Sequence, residues 1–179
     1  MEDFILKYAS DYKSYIGFLT IISDEKNITE LVFGNLEHYF STKNSQKKQL
    51  LPKLLGENTG KEILHLHKEA FLQLDQYFKG ERRDFDLPLK IEGTIFQQQV
   101  WKALMTIPYG EVRSYKQIAE QVGNPKACRA VGMANNRNPL PLFIPCHRVI
   151  GANGSLVGYG GGLDIKIKLL QLEKSNDPK

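Results

Sequence analysis

The sequence is poor in cysteine, histidine and tryptophan, and it contains no long apolar run. Its 179 residues include two cysteines, four histidines and one tryptophan. Two cysteines, Cys128 and Cys146, are too few for a disulfide framework or a four-cysteine zinc site. No stretch approaches the roughly 20 apolar residues of a membrane span, and the N-terminal MEDFILKYASDYK lacks the uninterrupted apolar core of a secretory signal. We therefore expect a cytoplasmic protein with free thiols and no membrane partner.

The histidines do not form a metal-binding pattern. His38, His65 and His67 precede both cysteines, and no further ligand stands near them at usable spacing. We predict that the chain binds no metal and uses no cofactor, and that His65 and His67 are surface or core-edge residues. The glycine-rich stretch 158–162 lacks the Gly-Lys-Ser/Thr ending of a phosphate-binding loop, so we interpret it as a mobile lid.

The first half of the chain predicts a small α/β domain. Runs of β-branched and aromatic residues at 15–23 and 27–35 flank a polar turn and predict a β-hairpin. Residues 36–61 predict a loop with one short helix, and alternation over 85–91 predicts an edge strand that links two domains. An amphipathic helix ended by Gly80 is predicted between them by five residues at three- and four-residue steps: Leu64, His67, Phe71, Leu74 and Phe78. We assign residues 1–90 to this domain, with a small antiparallel sheet and helices.

The second half, residues 91–179, predicts a mainly α-helical domain. Thr94 and Gln97 fit a capping box at the start of a helix. Its buried stripe is predicted to consist of Phe96, Val100, Ala103, Leu104 and Ile107.

A helix-turn-helix follows in this domain. Ser114 is predicted to cap a helix that runs to about Val122, Gly123 to make the turn, and Asn124-Pro125 to begin the next helix. The second helix carries small residues that would let its backbone approach a surface closely: Ala127, Ala130, Gly132 and Ala134. With Lys126 and Arg129 on its first turns, it is typical of a DNA-binding helix.

Charge is distributed unevenly between the two halves. Residues 1–93 carry 13 basic and 15 acidic side chains, a balance of −2, whereas residues 94–150 carry seven basic and two acidic, a balance of +5. The basic segment therefore includes the helix-turn-helix, as binding to a phosphate backbone requires. An ordinary solvated basic surface remains the alternative.

One cysteine stands directly before a histidine in PLFIPCHRVIGANGSLVGYGGG, residues 141–162. Prolines 139, 141 and 145 predict an extended, stiff backbone that aims the thiol of Cys146. A free thiol has a pKa near ~8.5, so a nucleophilic Cys146 needs a base, and His147 is the obvious candidate. Because neighbours in an extended chain point to opposite sides, a bridging water or a turn at Cys146 is required. The alternative is that Cys146 is a small buried hydrophobic residue.

The segments IPCHRVIGANGSLVGYGGGL and SYKQIAEQVGNPKACRAVG together closely resemble the O6-alkylguanine-DNA alkyltransferases, also called methylated-DNA-protein-cysteine methyltransferases. The resemblance runs from about Gly93 to Glu173. It implies a DNA-repair protein whose partner is double-stranded DNA containing O6-alkylguanine, and we expect it to act as a monomer. It also implies that the damaged base is flipped out of the duplex and that the second helix lies in the minor groove.

The resemblance implies a role for each matching residue. Cys146 would accept the alkyl group, His147 would take the thiol proton through water, and Glu173 would orient His147. Tyr115 would donate a proton or hydrogen bond to the departing guanine. Asn138 would support the turn that carries the nucleophile, and the backbone carbonyls of Cys146 and Val149 would recognise the guanine amino group. Arg129 would fill the place of the flipped base, and Lys126 and Ala127 would contact DNA. The alkyl pocket would lie between Pro141 and the lid residues Tyr159, Gly160 and Gly161. Since the thioether product has no leaving group comparable to guanine, each molecule is expected to act once.

Three other functions compete with alkyl transfer. A lesion-binding protein without transfer activity would be expected to replace the cysteine of the motif, whereas this chain keeps Cys146. A helix-turn-helix regulator would prefer one DNA sequence. A Cys-His hydrolase would turn over an acyl substrate and would need an oxyanion hole.

Overall fold

The computed structural model describes residues 6–43 and 53–176, and of residues 42 and 43 the backbone alone. The chain divides into two compact units between Lys90 and Ile91. Within the described residues, no helix has both the length and the apolar character needed to cross a membrane.

A four-stranded sheet forms the centre of the N-terminal unit. Its strands are β1 (Tyr8–Ser14), β2 (Gly17–Ser23), β3 (Ile28–Phe33) and β4 (Lys53–Leu54), in the order β3-β2-β1-β4. The predicted hairpin is β2 with β3, which pair antiparallel from Leu19 opposite Phe33. β1 also pairs antiparallel with β2, but the short β4 lies parallel to β1, so the sheet is mixed rather than wholly antiparallel.

Two helices cover opposite faces of this sheet. Helix α1 (Leu36–Lys43) brings Tyr39 against Ala9 and Ile22, whereas α2 (Lys61–Phe78) brings His67 against Ser10 and Ser23. Successive strand residues point to opposite faces, which explains why adjacent positions meet different helices. The predicted helix is confirmed, but its fully buried stripe differs from the predicted one: Ile63, Leu66, His67, Ala70, Gln73, Leu74 and Tyr77.

Two predictions in this unit were wrong. His67 is 1% exposed and lies in the core, whereas His65 is exposed as predicted. The expected strand at 85–91 reduces to one bridge between Ile28 and Leu89, held by backbone hydrogen bonds on either side of Leu89. Pro88 has no N–H to extend that ladder.

Helices dominate the C-terminal unit. Its elements are α3 (Ile95–Met105), β5 (Arg113–Ser114), α4 (Tyr115–Gln121), α5 (Cys128–Asn136), β6 (Val149–Ile150) and α6 (Leu163–Ser175). The capping box of α3 is present as predicted, with Thr94 and Gln97 bonded reciprocally. Val100, Ala103, Leu104 and Ile107 are buried, Phe96 only half-buried. Trp101 is also buried, and its indole Nε1 donates to the carbonyl of Ala134 at 2.9 Å, which ties α3 to α5.

The helix-turn-helix consists of α4 and α5. Ser114 caps α4 in a second capping box, and Gly123 makes the turn with a φ of +77°, a conformation that favours glycine. The predicted start of the second helix was wrong: Asn124-Pro125 form a separate turn closed by the Ala127 amide, and α5 begins at Cys128.

Candidate active site

Cys146 begins a single 3₁₀ turn, Cys146–Arg148, just before β6. The extended backbone predicted here was wrong, because Leu142 has a left-handed φ of +74° and Pro141 bridges to Ile144 across a tight turn. Asn138 holds this arrangement: its Nδ2 donates to the Ile144 carbonyl at 2.8 Å and to Cys146 Sγ at 3.1 Å. The side-chain amide therefore fixes the turn and the thiol together.

Cys146 is buried, with 5% of the residue's surface exposed. Burial raises the pKa of Cys146 to about 11, although the hydrogen bond from Asn138 and the charge of Lys166 act in the opposite direction. At neutral pH the sulfur is therefore protonated, and it becomes a nucleophile only when a base removes the proton.

Glu173 is held as a carboxylate beneath this turn. Its oxygens accept hydrogen bonds from His147 Nε2 at 2.9 Å, from Arg148 at 2.8–3.2 Å and from the Gly110 amide at 3.1 Å. Burial alone would raise the pKa of Glu173, but the hydrogen bonds and charges of His147 and Arg148 outweigh it and lower that pKa well below the ordinary value. Arg148 also donates to the Ile107 carbonyl at 2.7 Å.

The carboxylate determines the tautomer of His147. An ionised carboxylate can only accept, so Nε2 of His147 carries the hydrogen and Nδ1 carries a lone pair. Nδ1 is buried and has no hydrogen-bond partner among the residues that the structure describes. Burial lowers the pKa of His147 although Glu173 opposes it, so the ring is neutral at neutral pH. The arrangement provides a buried neutral base.

A cavity of about 420 Å³ opens at Cys146. It is lined by Tyr115, Cys128, Arg129, Gly132, Asn135, Asn136, Cys146, Val157, Gly158, Tyr159 and Gly160. Of the predicted wall residues, Tyr159 and Gly160 line it, but Gly161 does not. Pro141 is not a wall either, because the turn at Leu142 buries it. A Cβ added to Gly160 would meet nothing within 4 Å, so the cavity is open beside this residue.

Tyr115 and Tyr159 place two phenol rings at this cavity. Burial raises the pKa of Tyr115, and the charge of Cys146 adds to the rise. The ring of Tyr159 lies edge-on to His147, with centroids 6.5 Å apart. Burial, with smaller contributions from Cys146 and Glu173, also raises the pKa of Tyr159. Both phenols therefore stay protonated near neutral pH and can donate hydrogen bonds.

Sequence reasoning missed Lys166. This lysine is fully buried on α6, and its Nζ donates to the carbonyls of Val149 at 2.6 Å and Val157 at 3.2 Å. It thereby joins the residue just before the glycine-rich stretch 158–162 to β6. A signal existed, because positions 166, 169 and 173 have the three- and four-residue spacing of a buried helix stripe, and two of the three residues are charged.

Helix α5 presents a different surface on its other side. Arg129, Ala130 and Met133 are exposed, and Met133 is 58% exposed. Just before the helix, Lys126 is exposed and Ala127 half-buried. Ala134 is buried against Trp101, so the prediction that it belongs to the DNA-facing small residues was wrong.

Among the described residues, no group of three or more His, Cys, Asp or Glu side chains is arranged to hold a metal ion.

Both units match models of one protein family. Residues 95–175 match the 6-O-methylguanine DNA methyltransferase DNA-binding domain, and residues 7–91 match the ribonuclease-like domain of the same methyltransferases.

Individual relatives agree with this match. The chain is 47% identical over 168 residues to a methylated-DNA–protein-cysteine methyltransferase of Methanosarcina acetivorans, covering 94% of this chain and 99% of that protein. It is 64% identical over 106 residues to the Mycobacterium leprae protein of that name, covering 59% of this chain and 64% of the other. The Mycobacterium tuberculosis OGT structure in complex with DNA is similar with a TM-score of 0.78 and 44% identity, covering 96% of this chain and 95% of that one.

Proposed function

The chain belongs to the 6-O-methylguanine DNA methyltransferase family, and on that premise we propose that Cys146 receives the alkyl group. The activity is transfer of an alkyl group from alkylated guanine in DNA to a cysteine of the protein. The observation that supports the assignment is the buried Cys146 thiol, which lines the cavity and accepts a hydrogen bond from Asn138. The next residue, His147, has a ring nitrogen, Nδ1, without a partner among the described residues. By contrast, the thiol of Cys128 donates to the Pro125 carbonyl at 3.8 Å.

Proton removal is the first step of the proposed reaction. Nδ1 of His147 accepts the thiol proton of Cys146 through one bridging water, and Glu173 stabilises the imidazolium that results. Arg148 supports this step because it keeps Glu173 ionised and therefore keeps the lone pair of His147 on Nδ1. The thiolate is stabilised by Asn138 and by the nearby charge of Lys166.

Alkyl transfer follows as a single displacement. The sulfur of Cys146 attacks the alkyl carbon, the S–C bond forms, the bond between that carbon and guanine O6 breaks, and the electron pair moves into the guanine ring. Tyr115 donates a hydrogen bond or proton to the departing guanine, because an uncompensated guanine anion is a poor leaving group. The thioether cannot be displaced by any group in this site, so the protein acts once.

Duplex DNA containing O6-alkylguanine is the proposed substrate, bound by a monomer through α5 in the minor groove. The exposed Arg129, Ala130 and Met133 and the basic segment 94–150 support this interface. Arg129 lines the cavity, a position suited to replacing a base flipped toward Cys146. The Val149 carbonyl already accepts a hydrogen bond from Lys166. A carbonyl oxygen has two lone pairs, so it can accept a second hydrogen bond, from the guanine amino group.

Replacement of each cysteine by serine tests the assignment. Cys146→Ser should bind a methylguanine duplex and transfer nothing, since a serine hydroxyl is far less acidic than a thiol. Cys128→Ser should still transfer. Transfer measured with a radiolabelled methyl group would reject the proposal if Cys146→Ser retained it or if Cys128→Ser lost it.

A further inference from the structure

Asn135 presents a buried side-chain amide whose hydrogen bonding within the described residues is incomplete. Both Oδ1 and Nδ2 are buried, and neither makes a hydrogen bond of full geometry within residues 6–43 and 53–176. Hydrogen bonds fix the backbone on either side of it. The indole Nε1 of Trp101 donates to the Ala134 carbonyl, and the backbone N–H of Asn138 donates to the Asn135 carbonyl at 3.2 Å. Buried polar groups without partners are rare, and each one calls for an explanation.

The amide lies on the wall that also holds Tyr115. Asn135, Tyr115 and Cys146 all line the 420 Å³ cavity. The Tyr115 ring lies on α5 at Gly132, where an added Cβ would be 3.8 Å from Cε1 of the ring. Asn135 is three residues after Gly132, and residues at that spacing are neighbours on one side of a helix. The phenol and the amide are therefore adjacent groups.

Asn135 acts on the acidity of that phenol. Burial raises the pKa of Tyr115 and Cys146 adds to the rise, whereas Asn135 opposes them. The amide of Asn135 is therefore close enough to the phenol oxygen to begin a hydrogen bond, and this contact is what acts to lower the pKa, although the pair does not reach full hydrogen-bond geometry. A phenol that donates to a departing guanine gains negative charge on its oxygen, and a donor aimed at that oxygen stabilises this change.

We propose that Asn135 is a positioning residue for Tyr115: when the flipped guanine enters, Nδ2–H of Asn135 donates to the phenol oxygen while the phenol donates to the guanine. This inference rests on the proposed function and on the role given there to Tyr115. Asn135 itself exchanges no proton and forms no bond, so it acts on the rate only through Tyr115. The Asn135 amide then completes its hydrogen bond only during the reaction, and its incomplete hydrogen bonding in the resting protein lowers the stability of the fold.

A double-mutant cycle tests the coupling. Asn135→Leu keeps the approximate shape of the side chain and removes its donor and acceptor. Its single-turnover methyl-transfer rate on a methylguanine duplex should fall about five- to tenfold, the size of one net hydrogen bond. In a Tyr115→Phe background, which should itself be slower than wild type, the same change should have no further effect. Gln99→Leu, at an exposed amide on α3, serves as the control and should leave the rate unchanged.

Thermal unfolding separates this role from a structural one. Because Asn135→Leu removes a buried unsatisfied amide, its Tm should be unchanged or higher by about 2–4 °C, although transfer is slower. A lower Tm together with the slower rate, an unchanged rate, or an equal slowing in both backgrounds would overturn the inference while leaving the proposed function intact. If wild-type protein transferred no methyl group, the proposed function would fail and this inference with it.

Discussion

His67 and His147 are both buried histidines, one in each unit, and they differ in what their second ring nitrogen contacts. In the N-terminal unit, Nδ1 of His67 bonds Ser10 Oγ at 2.6 Å and Nε2 bonds Ser23 Oγ at 2.9 Å, so both nitrogens are used. In the C-terminal unit, Nε2 of His147 bonds a carboxylate and Nδ1 has no partner among the described residues. Burial and a lowered pKa are common to both.

The comparison separates a structural histidine from one available for chemistry. The His67 ring joins α2 to β1 and β2 and has nothing left to offer a substrate. His147 directly follows the thiol of Cys146 in the sequence, and no described group donates to the lone pair on its Nδ1. This Nδ1, free among the described residues, and the carboxylate at Nε2 distinguish His147 from His67, and they are the reason that we propose His147 as the base.

Removal of the carboxylate should have the largest effect. Glu173→Gln takes away the anchor of His147 and leaves Arg148 buried without its counter-charge. Unpairing a buried charge costs about 3–5 kcal/mol, and loss of general-base catalysis slows transfer about 10²–10⁴-fold. Urea unfolding and single-turnover transfer measure both. Asp75→Asn breaks the exposed pair with Lys79 and is the matched control, expected to change stability by less than about 1 kcal/mol. Equal losses in the two variants would contradict the special role of Glu173.

Replacement of each histidine by glutamine tests whether His147 takes part in transfer and His67 does not. His147→Gln keeps a donor for Glu173 but has no basic nitrogen, so transfer should slow about 100-fold or more. His67→Gln should transfer at the wild-type rate, because that ring takes no part in the reaction. Single-turnover rates on a methylguanine duplex decide the matter, and similar rates for the two variants would show that His147 is not the base.

Acid should weaken the fold through His67. Burial lowers the pKa of His67 from 6.5 to about 4. The unfolded chain therefore binds more protons between pH 6.5 and pH 4. The stabilisation that the neutral His67 gives the folded state is complete above pH 6.5 and is lost as the pH falls through 4. The full loss is about 3 kcal/mol. Unfolding free energies of wild type and His67→Leu across this window should converge as pH falls, and parallel curves would contradict the assignment.

At neutral pH, His67→Leu should have the smallest effect. It leaves the hydroxyls of Ser10 and Ser23 without their buried partner, which costs about 1–3 kcal/mol of unfolding free energy. Transfer should be unaffected at temperatures where the variant is folded. A variant as stable as wild type would mean that the two serines find other partners.

Local sequence pattern predicted the residues of the site and some helix ends better than the geometry of the site, and the chemistry of those residues stays a prediction. Cysteine before histidine in a basic, glycine-rich segment indicated a nucleophile with a base, and capping residues such as Ser114 predicted α4 because capping depends on local residues alone. The turn at Leu142 and the burial of Ala134 depend on tertiary packing, which local pattern does not encode. The spacing of α6 indicated that Lys166 is buried, but its Val149 partner lies 17 residues away. The Ser10–His67–Ser23 contacts span 57 and 44 residues, so local pattern could not predict any of these contacts.

The most direct test of the proposed mechanism is the intact mass of the protein after incubation with excess methylguanine duplex, followed by peptide mapping. One methyl group should be added per chain, on Cys146 and not on Cys128, and the reaction should stop at one equivalent of repaired guanine. Continued turnover, a second methyl group, or a label on any other residue would contradict a single irreversible transfer to Cys146.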